Sequence, residues 1–117
     1  MAVVTFIDPE YTGNYVLISW NGMANGDTGK PFEGCDWADR SMQIEGTFGT
    51  GGTLVMEGSL DGTIYHPLRD SNGSNLTFTQ SDLESVIQIT KYIRPRVSAG
   101  DGTTSLNVTM FARRSRS

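Results

Sequence analysis

Short runs of alternating hydrophobic and polar residues, separated by glycine-rich turns, dominate the chain, and a period of two marks strands with one face in a core. Ser41 to Phe48 sets Met42, Ile44 and Phe48 against Ser41, Gln43, Glu45 and Thr47, which predicts a half-buried strand. Thr53 to Ser59 resumes the pattern, with Leu54 and Met56 opposed to Glu57. Between the two runs, Gly49-Thr50-Gly51-Gly52 supplies residues free to take positive φ, so the pair predicts a β-hairpin. Tyr15 to Trp20 is a continuous run of β-formers bounded by Gly13 and by Asn21-Gly22, as a buried strand would be. Asp61-Gly62 predicts a turn into Thr63 to Leu68, where Pro67 favours an edge or strand-end position. Tyr92 to Val97 opposes Ile93, Pro95 and Val97 to Tyr92, Arg94 and Arg96, an edge-strand pattern whose arginine face meets solvent or a partner. Ser105 to Ala112 predicts a final strand burying Leu106, Val108 and Met110.

The remaining segments are less regular. Residues 81–89 carry the chain's helical hint, with Ser81 placed to cap and Glu84 three residues on, although Val86, Ile87, Ile89 and Thr90 make a strand from Val86 a close competitor. Asn21 to Asp39 has four glycines, Pro31 and no period, and reads as a long ordered loop. Long loops within small domains are commonly functional, and Phe32 and Trp37 make this one a candidate contact surface. Asp70 to Asn75 and Asp101-Gly102 predict further turns. Several short strands at turn spacings of about ten residues, with at most one short helix, predict an all-β, single-domain β-sandwich of jelly-roll-like form. The expected boundaries are an N-terminal arm or first strand over 1–14, a sandwich over 15–112 and a short basic tail over 113–117.

Length adds that 117 residues suffice for one core and leave little room for a second. The formal net charge of −4 disfavours a nucleic-acid partner. It also conceals an asymmetry: residues 1–62 hold nine acids and two bases, net −7, and residues 63–117 hold four acids and seven bases, net +3. No stretch approaches the roughly 20 apolar residues needed to span a membrane, so no membrane partner is expected. The first ten residues lack a basic start and their apolar run is broken by Asp8-Pro9, which predicts no signal peptide and synthesis in a reducing cytoplasm. Cys35, the single cysteine, excludes an intramolecular disulfide and an all-cysteine zinc site.

Catalytic chemistry finds little to build on. His66 is the single histidine and lies between Tyr65 and Pro67 on the presumed edge, where it reads as structural. Cys35 stands beside Asp36, whose charge would raise a thiol pKa rather than activate it. Asp36 with Asp39, and Glu45 with Glu57, are the carboxylate pairs to consider, and solvated or turn-closing roles cover both. Asp70, Asn72 and Asn75 lack the rest of a calcium loop. Neither catalytic residue, cofactor nor metal is assigned.

The stretches ADRSMQIEGTFGTGGTLVMEGSLDGTIYHPLRD, SNLTFTQ and KYIRPRVSAGDGTTSLNVTMFARR resemble the head-decoration, or cement, proteins of tailed bacteriophages. The resemblance covers roughly residues 15–114 and rests on pattern: EGSLDGT (Glu57 to Thr63), KYIRPRV (Lys91 to Val97) and GDGTTS (Gly100 to Ser105). It implies a non-enzymatic virion protein with a jelly-roll-like sandwich, made in the host cytoplasm and placed on the outer capsid surface. There it would cement neighbouring major capsid subunits, with the major capsid protein and further copies of itself as partners, a homodimer first and a homotrimer second. The arm residues Phe6, Ile7 and Tyr11, the loop aromatics Phe32, Trp37 and Tyr65, and Arg94, Arg96, Arg113 and Arg114 are the candidate interface. The rival reading is a tail-associated module similar to discoidin-type sandwiches. It would bind host carbohydrate or receptor through Tyr11, Trp20, Trp37 and Tyr65.

Overall fold

A computed structural model describes residues 3–5, 10–12 (backbone), 15–33, 39–70, 72–88 and 90–113. Among them are twelve strands and no helix: β1 (Val3–Val4), β2 (Glu10–Thr12), β3 (Tyr15–Met23), β4 (Thr28–Gly29), β5 (Phe32–Glu33), β6 (Asp39–Thr47), β7 (Thr53–Ser59), β8 (His66–Pro67), β9 (Thr77–Phe78), β10 (Asp82–Val86), β11 (Tyr92–Ala99) and β12 (Ser105–Arg113). They form a β-sandwich. One sheet runs β1-β4-β11-β7-β8, with β5 also on β11 and β9 also on β7, and the other runs β10-β6-β12-β3-β2. The β1–β4 pairing is parallel and the other strand pairings are antiparallel.

The core fills the space between the sheets. Val16, Ile18 and Trp20 of β3, Met42 and Ile44 of β6, and Leu106, Val108 and Met110 of β12 face Leu54 and Met56 of β7 and Ile93 and Val97 of β11. The period-two pattern had marked most of these positions, because a residue that alternates correctly along a strand has one face to bury. Trp20 is fully buried, and its indole N–H donates to the Lys30 carbonyl at 3.0 Å, so the ring enters the core without an unmet donor.

Several expectations need correction. The 41–48 and 53–59 runs are not a hairpin: β6 pairs with β10 and β12 in one sheet, and β7 pairs with β11 in the other. The glycine turn, with φ of 72° at Gly49 and 71° at Gly51, carries the chain across the sandwich, and local turn chemistry is the same for an arch as for a hairpin. Nor is β7 amphipathic, since Val55, Glu57 and Ser59 are buried as well as Leu54 and Met56. Residues 82–86 form an extended edge strand on β6, so ladder hydrogen bonds and the β-branched residues prevail over the capping signal at Ser81.

The 21–39 segment is more ordered than its composition suggested. β3 continues to Met23, and β4 and β5 dock on β11; residues 34–38, with Cys35, Asp36 and Trp37, lie outside the described residues. Phe32 is a core residue at 5% exposure and not a contact residue, because β5 turns its ring between the sheets.

Finally, β11 is central and not an edge, despite Pro95. Met56, opposite Pro95, donates its amide to Leu76 and accepts from Leu68 on the far side of β7, so Met56 and Pro95 form a pair without mutual hydrogen bonds. The proline nitrogen therefore faces the other neighbour, and there the paired strands stop between Gly29 and Phe32. A missing donor costs nothing where no acceptor is in register.

The Pro95 ring also presses on Gly29. A Cβ at Gly29 would lie 2.6 Å from Pro95 Cδ and 2.9 Å from Trp20 Cδ1. Gly29→Ala is therefore expected to destabilise the fold by about 1–3 kcal/mol through overpacking, read as a lower urea midpoint with an unchanged m-value.

Candidate interaction surfaces

The outer face of the first sheet is organised around one carboxylate. Glu57 on β7 stands opposite Arg94 on β11, with Arg96 two positions along the same face. Arg94 Nε donates to Glu57 Oε1 at 3.0 Å and Arg96 Nε to Oε2 at 2.7 Å. The Glu57 side chain is 6% exposed, against 25% for Arg94 and 36% for Arg96, so the anion lies beneath and the cations lie at the surface. The Tyr65 ring packs on Arg94, with the guanidinium carbon 3.7 Å from the ring centroid. Burial pushes the Tyr65 phenol up from its ordinary pKa, with the Arg94 charge opposing. Its hydroxyl is buried without a hydrogen-bond partner among the described residues. Beside this cluster Lys91 pairs with Glu33 at 3.5 Å.

Sequence reasoning singled out Tyr65, Arg94 and Arg96, and the structure brings them together. Arg113 lies on the opposite sheet, where it pairs with Asp39 at 2.8 Å beside an open groove of about 430 Å³ that Phe111 and Ile87 also line. For Tyr11 the backbone is placed, in β2 opposite Val16; Phe6, Ile7, Trp37 and Arg114 lie outside the described residues. Trp20, one of the four aromatics of a possible sugar platform, is fully buried and cannot serve. Glu45 and Glu57 sit on different sheets and do not form a carboxylate pair.

A second groove of about 440 Å³ opens at the β7–β8 end, lined by Gly58, Asp61, His66, Leu68 and Gln88. Leu60 and Ile64 on its rim are 74% and 60% exposed, large apolar side chains that the pattern reading did not single out. Nothing in a turn sequence tells an exposed leucine from a buried one. Asp61 does not orient His66: its Oδ1 accepts from the amides of Thr63 and Ile64 and from the Ser59 hydroxyl. Those amides, Ile64's first, hold its pKa at about 2. At the opposite end Asp101 accepts from the Thr103 hydroxyl and the Thr50 and Thr103 amides, and its pKa is likewise held well below the ordinary range. Asp70 closes its own turn by accepting from Asn72 and Ser74. Among the described residues no three His, Cys, Asp or Glu side chains group as metal ligands.

Comparisons with known proteins bear on the fold. No protein-family model matches the chain, and no curated protein matches it. The crystal structure of the SPBc2 prophage-derived protein YomS superposes with a TM-score of 0.58 at 10% identity, over 88% of this chain and 97% of that one. At such identity the likeness is one of fold.

Two outcomes follow from the geometry. Removing both arginines, as R94A/R96A, leaves the Glu57 charge buried and unpaired and is expected to cost about 3–5 kcal/mol. Glu57→Gln leaves two half-exposed cations free to turn to water and should cost only about 1–2 kcal/mol, so urea unfolding should rank the variants in that order. For Asp61 and Asp101 the folded state favours the ionised form. Their contribution is complete above the ordinary value of 3.8 and is lost as pH falls through about 2 for Asp61 and lower still for Asp101. Amide exchange at Thr63 and Ile64 should accelerate across that acid range relative to the core of β12.

Proposed function

We propose that the chain is a structural virion protein that binds the outer surface of a tailed-phage capsid and cements neighbouring major capsid subunits, acting by attachment and without turnover. The observation that carries this reading is the match of its sandwich to nearly the full length of a prophage-derived protein, taken with the resemblance of residues 15–114 to decoration proteins. The surfaces suit such a role. Leu60 and Ile64 on one groove, and Leu83, Ile87 and Phe111 on the outer face and edge of the second sheet, are exposed apolar side chains. A partner that covered them would supply burial that a small domain lacks by itself. The major capsid protein is the proposed partner, with a second copy of the chain beside it at the contact.

The reading is tested by mixing the purified protein with capsids that lack it and sedimenting the heads, with electron cryomicroscopy of intact virions as the companion measurement. Saturable pelleting and ordered density on the outer capsid face are expected. Density confined to the tail, with no pelleting on heads, would overturn the reading in favour of a tail-associated module that binds host carbohydrate or receptor.

A further inference from the structure

Each arginine in the Glu57 cluster uses a single N–H on the carboxylate. Both bonds come from Nε, and among the described residues the terminal nitrogens of Arg94 and Arg96 have no hydrogen-bond partner. Two guanidinium groups are thus fixed at the root by one buried anion, that of Arg94 also packs on the Tyr65 ring, and no described residue takes up their terminal N–H groups. That is a preorganised receptor, since a planar fork with its stem immobilised loses little entropy when it binds an oxyanion bidentately. Two cations against one anion leave the Arg94–Glu57–Arg96 cluster itself at +1, the neighbouring Lys91–Glu33 pair adds nothing net, and the nearest further charge is the Asp61 carboxylate, which acts on Tyr65 from the turn after β7. With the anion 6% exposed and the cations 25% and 36% exposed, an approaching molecule meets the positive charge first.

We propose that this face of the first sheet docks an acidic segment of a partner protein, whose Asp or Glu carboxylates fill the forks of Arg94 and Arg96. Charge complementarity selects the occupant. A nucleic-acid backbone would require a row of cations, whereas the site offers two within a chain whose formal net charge is −4. The inference rests on the attachment reading, to which it assigns a contact: the arginine pair of the first sheet. Arg113, on the other sheet and already paired with Asp39, stands apart from it.

The test uses hexaglutamate as probe and hexalysine as control, titrated at low salt into isotope-labelled full-length protein and followed by nuclear magnetic resonance. Saturable shifts of the Arg94 and Arg96 Nε–H signals and of the Tyr65 amide are expected with hexaglutamate alone, with affinity falling at least about tenfold on going to high salt. Because R94A/R96A leaves the Glu57 charge buried and unpaired, the comparison is E57Q/R94Q/R96Q, which buries no unpaired charge and should lose the response while keeping its spectrum dispersed. R94K/R96K, which keeps the charges without the forks, should bind more weakly than wild type. Shifts spread equally over Lys91, Arg113 and the cluster, or an unchanged response in the triple glutamine variant, would overturn the proposal. So would concentration-dependent dimerisation of the free protein that occupies the cluster. Capsid pelleting separates the two ideas. If the triple variant pellets as well as wild type, the arginine site falls and the attachment reading stands. If wild type fails to pellet yet hexaglutamate still fills the forks, the attachment reading falls and the acid-binding face stands.

Discussion

Arg94 lies opposite Glu57 and Pro95 opposite Met56, and a slip of one residue in that register would turn the guanidinium groups into the core and Ile93 and Val97 to solvent. The slip would also bring the proline nitrogen to face β7, where a ladder donor is needed. Both faces of β11 therefore fix the same alignment, one through apolar burial and the other through a carboxylate that only one register can reach. The first sheet is built around that pairing: β4 and β5 dock on β11, β8 and β9 dock on β7, and Gly29 is the residue that lets β4 approach Pro95 and Trp20.

The two sheets are joined by arches rather than by hairpins alone, and the arches hold one another. The β6–β7 crossing and the β11–β12 crossing meet where Asp101 accepts from Thr50 and where Thr104 donates to the Phe48 carbonyl at 2.8 Å. Each arch is a five-residue connection between strands that do not pair with each other. Linked through two short polar side chains, each limits the freedom of the other, and the entropy of ordering is shared between them.

Strand positions were legible in the sequence because alternation is a local property that burial on one face enforces, and β3, β6, β11 and β12 follow it closely. What was not legible depended on partners far along the chain. The same alternation and the same glycines would serve a β6–β7 hairpin or an arch, and only the pairing with β12 and β11 decides between them. Phe32 looked like a contact residue because its surroundings have no period, yet two strand residues were enough to dock it on β11 and bury it. Of the candidate interface, the arginine face of β11 was visible in the pattern. Its organiser was not, since Glu57 read as an ordinary polar residue of a half-exposed strand and gave no sign that it would be buried beneath two arginines.

A buried carboxylate bridged by two guanidinium groups is a poor device for stability alone. Desolvating three charges consumes much of what their attraction returns, and apolar residues of similar volume would hold two strands together at least as well. The cluster does supply two things that apolar packing cannot. It is satisfied in one register, and it holds two guanidinium groups at the surface by their Nε atoms, with the Tyr65 ring packed on that of Arg94. The first property specifies the sheet, and the second gives it a charged outer face. The cations outnumber the carboxylate that anchors them by two to one, so the face keeps a positive charge in a chain whose formal net charge is −4.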